Sequence, residues 1–250
     1  MITLFRRIRQ KLIESGSVTK YLLYATGEIL LVVVGILIAL QVNNWNEERK
    51  LLSEEQRVLE SLRTEISQSI VQLEDRYERE SETTETIKII LKGGSSFDSL
   101  LTRSNVDSLM MGPIWFTVTE VPVLQTYSDL KSSGKISIIQ NYRIREGLSE
   151  LQFGLNNLDR QQRDLLTVQQ LRIDGIAIDR IDFISLLHAT DFKELPAGAV
   201  NDYRTLYSDR SIRNTLGAKL ALMSTALDIR KEIIAACTFL LEVIEQELKK

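Results

Sequence analysis

Residues 21–40 are twenty consecutive positions that carry a single charge, Glu28. As an α-helix rising about 1.5 Å per residue, such a stretch spans about 30 Å, the hydrocarbon thickness of a bilayer. The apolar run continues into Gln41, Val42, Asn43, Asn44 and Trp45 without a small-residue cleavage pattern. An uncleaved signal anchor is therefore expected rather than a removable signal peptide. Tyr21, Tyr24 and Trp45 stand where interfacial aromatics belong.

Charge is distributed unevenly about this segment. The chain of 250 residues has a formal net charge of −3, yet residues 1–42 hold +3, which leaves −6 for the remaining 208. Five basic residues precede the span, and a mixed Glu47-Glu48-Arg49-Lys50 follows it. By the positive-inside rule this predicts a cytoplasmic N-terminus and, in a bacterial inner membrane, a periplasmic C-terminal domain. The expected division is residues 1–19 as leader, 20–42 as anchor and 43–250 as outer domain. Within the leader, Leu4, Phe5, Ile8 and Leu12 share a helical face, while Arg6, Arg7, Arg9 and Lys11 occupy most of the rest. That pattern fits a surface helix on anionic lipid, and equally fits charges that only set topology. The acidic outer domain argues against nucleic acid as a partner.

Glu28 is costly in lipid, and intramembrane acids tend to face protein or water. Glu28, Gly35, Ala39 and Val42 fall near one helical face, and Gly35 with Ala39 forms a small-xxx-small pair that permits close helix approach. The sequence thus predicts a partner-packing face for an integral membrane complex or for a second copy. Snorkelling or protonation of Glu28 is the competing reading.

The outer domain reads as helical. Glycine (12) and proline (3) are scarce, and residues 43–92 contain neither. Leu52, Leu59, Leu62, Ile66, Ile70, Leu73, Tyr77, Thr84, Ile87 and Leu91 keep a three–four spacing. Residues 78–85 have few apolar side chains, which predicts a bend or weak contact there. Gly93-Gly94 should end the helix. A short helix is expected over 97–111, broken at Gly112-Pro113, followed by an extended connection and a helix over 124–132. Asn141 reads as the N-cap of a long helix over 142–173. Ser208 or Asp209 caps a last one to about 248, with Ile212, Leu216, Leu220, Met223, Leu227, Ile234, Leu241 and Leu248 on its apolar side. The fold class predicted is mainly α: one membrane helix followed by an antiparallel helical bundle.

Chemical signatures do not accumulate. His188 and Cys237 are single, too few for a zinc site or an internal disulfide. There is no Gly-x-Ser-x-Gly elbow and no phosphate-cradling Gly-x-x-x-x-Gly-Lys. Asp174, Asp179 and Asp182 lie close in sequence but lack the glycine-punctuated loop of a calcium site. No cofactor and no enzymatic activity are expected.

Lys20-Tyr21-Leu22-Leu23-Tyr24-Ala25, Gly27-Glu28-Ile29, Gly35-Ile36-Leu37-Ile38-Ala39-Leu40-Gln41 and Asn43-Asn44-Trp45-Asn46-Glu47 together resemble an uncharacterised family of small bacterial single-span membrane proteins. Thr126-Tyr127-Ser128-Asp129-Leu130, with Ser132-Ser133-Gly134 and Ile139, is similar to a second recurrent block of that family. The resemblance implies a membrane protein of unknown role and supplies no catalytic residue. It also implies that the glutamate in the span belongs to the family's pattern. The expected function is an accessory or structural subunit of a larger inner-membrane complex, of respiratory, photosynthetic, transport or secretion type. A periplasmic sensor or ligand-binding module acting through a partner is the alternative.

Overall fold

The computed structural model describes residues 18–117, 120–189, 192–196 and 198–250, and every regular element among them is helical. Helix α1 is Val18–Lys92, α2 Ser95–Leu101, α3 Val106–Trp115 and α4 Gln125–Ser132. Helix α5 is Tyr142–Val168 and passes through a π-helical turn, Gln169–Ile173, into α6, Asp174–Arg180. Then come α7 Phe183–Ala189, α8 Tyr203–Ser208 and α9 Arg210–Glu247. The chain divides into two compact units, residues 1–56 and 57–250.

In the first unit, α1 is the one helix among the described residues long and apolar enough to cross a membrane. None of its most apolar window is buried. Apolar patches of that size are rare on soluble monomers and mark membrane or protein contact.

The second unit is a bundle of α1, α5 and α9. Buried positions in α9 run Ile212, Leu216, Lys219, Met223, Ala226, Arg230, Ile233, Cys237, Leu240 and Ile244. That is an unbroken four–three alternation, the 3.5-residue period of coiled-coil packing. Helix α5 follows the same rule through Ile144, Leu148, Leu151, Leu155, Leu158, Gln162 and Leu165. Helix α1 follows it through Leu59, Leu62, Ile66, Ser69 and Leu73, and again through Glu80, Thr83, Ile87 and Ile90. One apolar cluster joins Leu62, Ile66, Leu148, Leu155, Ile233 and Leu240, and a second joins Ile87, Leu165, Leu216 and Met223. Helices α1 and α5 therefore run parallel, and α9 runs antiparallel to both. Glycine permits the closest approach of α5 to α9. A Cβ on Gly147 would sit 3.0 Å from Leu240 Cδ1, and one on Gly154 would sit 3.2 Å from Ile233 Cγ1.

Parallel α1 and α5 need a long crossover, which α2, α3 and α4 supply. Gly93 and Gly94, at φ of 67° and 73°, turn the chain out of α1. Helix α4 lacks a cap of its own, so Glu65 of α1 provides one. Its carboxylate accepts from Thr126 N at 3.0 Å and from Thr126 Oγ1 at 2.7 Å. Leu124, Tyr127, Leu130 and Ile139 are buried beside it in the first apolar cluster. Asn141 caps α5 by accepting from Arg143 N, and Asp209 caps α9 by accepting from Ser211 N and Ile212 N.

Several expectations need correction. Gly112-Pro113 does not end α3, which continues to Trp115. Pro113 stands inside the helix, where its missing N–H removes the bond that would run back to Leu109. Residues 78–85 are not a weakly packed stretch: Glu80 is 0 % exposed, and Thr83 and Thr84 are buried. The predicted α9 stripe sits one residue off the true seam at Leu220 and again from Leu227 onward. Leu227, Ile234 and Leu241 flank the core, while Ala226, Ile233 and Leu240 fill it. Lys219 and Arg230 both occupy the seam, where a stripe drawn by hydropathy passes over them.

Candidate functional site

Helical geometry at 3.6 residues per turn sets Glu28, Gly35, Ala39 and Val42 within an arc of about 60° on α1. Gly35 opens onto free space: an added Cβ would meet nothing within 4 Å. Val42 is 57 % exposed and Trp45 is 62 % exposed. Ala39 is likewise exposed, and Glu28 is half-buried. The four residues thus share one side of a helix whose whole apolar surface is uncovered within its own unit. Tyr21 and Tyr24 belong to α1, but their side chains lie outside the described residues, as do Arg6, Arg7, Arg9 and Lys11.

The second unit holds two buried polar layers that the sequence reading missed. In the first, Arg230 of α9 donates from Nε to Glu80 Oε2 at 3.0 Å and from Nη2 to Oε1 at 3.1 Å. Gln162 of α5 donates to Glu80 Oε1 at 2.9 Å. All three bundle helices therefore meet at one carboxylate. Gln162 Oε1 and Arg230 Nη1 are buried without a partner among the described residues.

The second layer surrounds Lys219, which is 0 % exposed. Its Nζ donates to Pro113 O and to Gln169 Oε1, each at 2.9 Å. Gln169, in the π-turn, donates in turn to Ile114 O at 2.8 Å and to Asp174 Oδ1 at 2.6 Å. Pro113 and Ile114 close α3, so their carbonyls have no partner within the helix. Lys219 and Gln169 satisfy them from two other elements. Burial pushes the Lys219 amine down to about 7, against the opposing charge of Asp174. The signal for both layers was present in the sequence. A charged residue that keeps strict four–three register with apolar neighbours belongs to the seam.

The remaining candidate residues have local roles. Cys237 is wholly buried, and burial raises its thiol to about 11, which disfavours the reactive thiolate. His188 Nδ1 lies 2.7 Å from Leu195 O. Asp182 accepts from Ser185 N at 3.0 Å and Ala199 N at 2.9 Å, tying α7 to the segment that returns past it. Asp174 is engaged with Gln169, so Asp174 and Asp182 serve different partners. No group of three or more His, Cys, Asp or Glu that could hold a metal ion occurs among the described residues. A surface cleft of about 390 Å³ is lined by Leu171, Arg172, Asp179, Arg180, Asp209 and Ser211, among others.

An apolar helix with no cover and a bundle carrying its own core together describe a membrane-anchored helical protein with a helical extramembrane domain. No curated protein and no solved structure matches the chain. Residues 28–156 match a family of unknown function (DUF6090). The match takes in the span from Glu28, the Glu65–Thr126 clamp and the first half of α5, and the chain belongs to that family.

Proposed function

We propose that this protein is a non-enzymatic accessory or structural subunit of a larger bacterial inner-membrane complex. Its single span packs on an integral membrane partner through Glu28, Gly35, Ala39 and Val42. The N-terminus is cytoplasmic, with Arg6, Arg7, Arg9 and Lys11 at the anionic lipid surface, and the bundle braces the complex from the periplasm. The observation that supports this reading best is the open surface at Gly35, where nothing lies within 4 Å of an added Cβ. Lipid tails give no hydrophobic drive between helices, so close approach at small residues and polar contacts such as Glu28 is how spans recognise one another. The experiment is extraction in mild detergent followed by identification of co-purifying proteins. A defined set of integral membrane proteins in fixed proportion is expected. A chain that elutes alone, with neither partner nor second copy, contradicts the proposal.

A second reading, a periplasmic ligand-binding module, draws on the polar cleft at Arg172, Asp179 and Arg180. Stabilisation of the bundle by a small charged ligand, lost in Arg172→Ala, would favour it over the bracing role.

A further inference from the structure

We propose that Lys219 is a pH-operated latch, whose unprotonated amine fastens the C-terminal end of α3 to the π-turn and whose protonation loosens that attachment.

The cluster carries the argument through its hydrogen-bond stoichiometry. A neutral amine has two N–H donors, and Lys219 Nζ meets two acceptors, Pro113 O and Gln169 Oε1. An ammonium adds a third donor and a full charge. No third acceptor for Lys219 Nζ occurs among the described residues, and the side chain is 0 % exposed. The groups facing it can be named element by element. Helix α3 presents the Pro113 and Ile114 carbonyls, the π-turn presents Gln169, and α6 presents Asp174. From α1 the surrounding cluster supplies Ile87 and Ile90, which do not titrate. Asp174 is the charged group of this set, and its carboxylate oxygen is spent on Gln169 rather than on Lys219. Its field favours the ammonium, whereas burial disfavours it more strongly, and the balance lies at about 7.

The direction of the switch follows from linkage. The unfolded chain keeps an ordinary lysine and binds a proton throughout the interval between about 7 and 10.5. The folded chain does not, so this contribution to stability grows as pH rises through that interval and is lost as pH falls toward 7. A π-turn is a natural place for such a device. Its widened i→i+5 rings relax to α-helical ones by shifting register, and Gln169 sits at its first position.

The test uses Trp115, the last residue of α3, which lies 4.9 Å from Phe183 of α7. The chain has two tryptophans, so Trp45→Phe leaves Trp115 as the sole emitter. Full-length Trp45→Phe protein in mild detergent is titrated from about pH 5 to about pH 10, a range that brackets the folded-state midpoint. A single emission transition with its midpoint near neutrality is expected. It should vanish in Trp45→Phe/Lys219→Met, and in Trp45→Phe/Asp174→Asn the midpoint should move to lower pH. No transition in the parent, or the same transition in the Lys219→Met protein, overturns the proposal. Should Lys219→Met lose its helical circular dichroism, Asp174→Asn decides, and an unmoved midpoint overturns it.

Discussion

Arg230 and Glu80 face each other across the bundle at 3.0 Å, Nε to Oε2, with both side chains 0 % exposed. Removing one member strands a charge in the core. Arg230→Met should therefore cost about 3–5 kcal/mol, whereas the double replacement Glu80→Leu/Arg230→Met should recover most of that loss. Urea unfolding followed by circular dichroism measures both. If the two single replacements simply add in the double variant, the pair is not coupled. Gln162, left with one hydrogen-bond partner fewer when Glu80 goes, limits the recovery.

The glycines of the long helices separate into two kinds. Gly217 in α9 has nothing within 4 Å of an added Cβ, whereas Gly147 has Leu240 Cδ1 at 3.0 Å. Gly217→Ala should stabilise the bundle by up to about 1 kcal/mol through helix propensity alone. Gly147→Ala should gain less than that or lose stability, because Leu240 must give way, and Gly147→Leu should cost about 1–3 kcal/mol by overpacking. Thermal unfolding of the three variants checks the order. Equal gains from both alanine substitutions would mean that α5 and α9 are not in close contact at this level.

The long helices were legible because their ends are written in the sequence. Asn141 and Asp209 are strong N-caps, and Gly93-Gly94 is a strong stop. Their interior register was only partly legible. Hydropathy assigns Glu80, Lys219 and Arg230 to water and favours the larger neighbours Ile70 and Leu227 over Ser69 and Ala226, so the apolar pattern leaves the seam at those positions. The π-turn at Gln169 has no hydropathy signature, since one inserted residue in a helix leaves composition unchanged. Helix α8 was overlooked although its cap was visible: Asp202 accepts from Thr205 N at 3.1 Å. Spacing alone puts Glu28, Gly35, Ala39 and Val42 on one side of a regular helix, because helical period needs no tertiary contact to define it.

Acid should loosen the α7–α8 segment. Hydrogen bonds from Ala199 N and then Ser185 N hold the Asp182 carboxyl below its usual range, and those from Thr205 do the same for Asp202. A carboxylate with a depressed folded value contributes stability that is present above its unfolded value near 3.9 and lost as pH falls through the folded one. Hydrogen exchange at acid pH should therefore show Ser185, Ala199 and Thr205 amides opening in the wild type. In Asp182→Asn the first two should already be open at neutral pH. Unchanged protection of Ala199 in that variant would contradict the assignment.

The proposed recognition of another membrane helix by one side of α1 is tested most directly by substitution within the span. Gly35→Leu adds bulk where, among the described residues, nothing lies within 4 Å of an added Cβ, so the variant reads on association. Val33→Leu places similar bulk on a different face and serves as the reference. Glu28→Gln keeps a hydrogen-bonding group and should be mild, since polar contacts between spans average about 0.6 kcal/mol. The measurement is recovery of co-purifying membrane protein, or of self-associated species, from the three variants in the same mild detergent. Gly35→Leu should lose the partner while Val33→Leu and Glu28→Gln retain it; indistinguishable recovery from Gly35→Leu and Val33→Leu would show that this face meets lipid and would overturn the proposed packing.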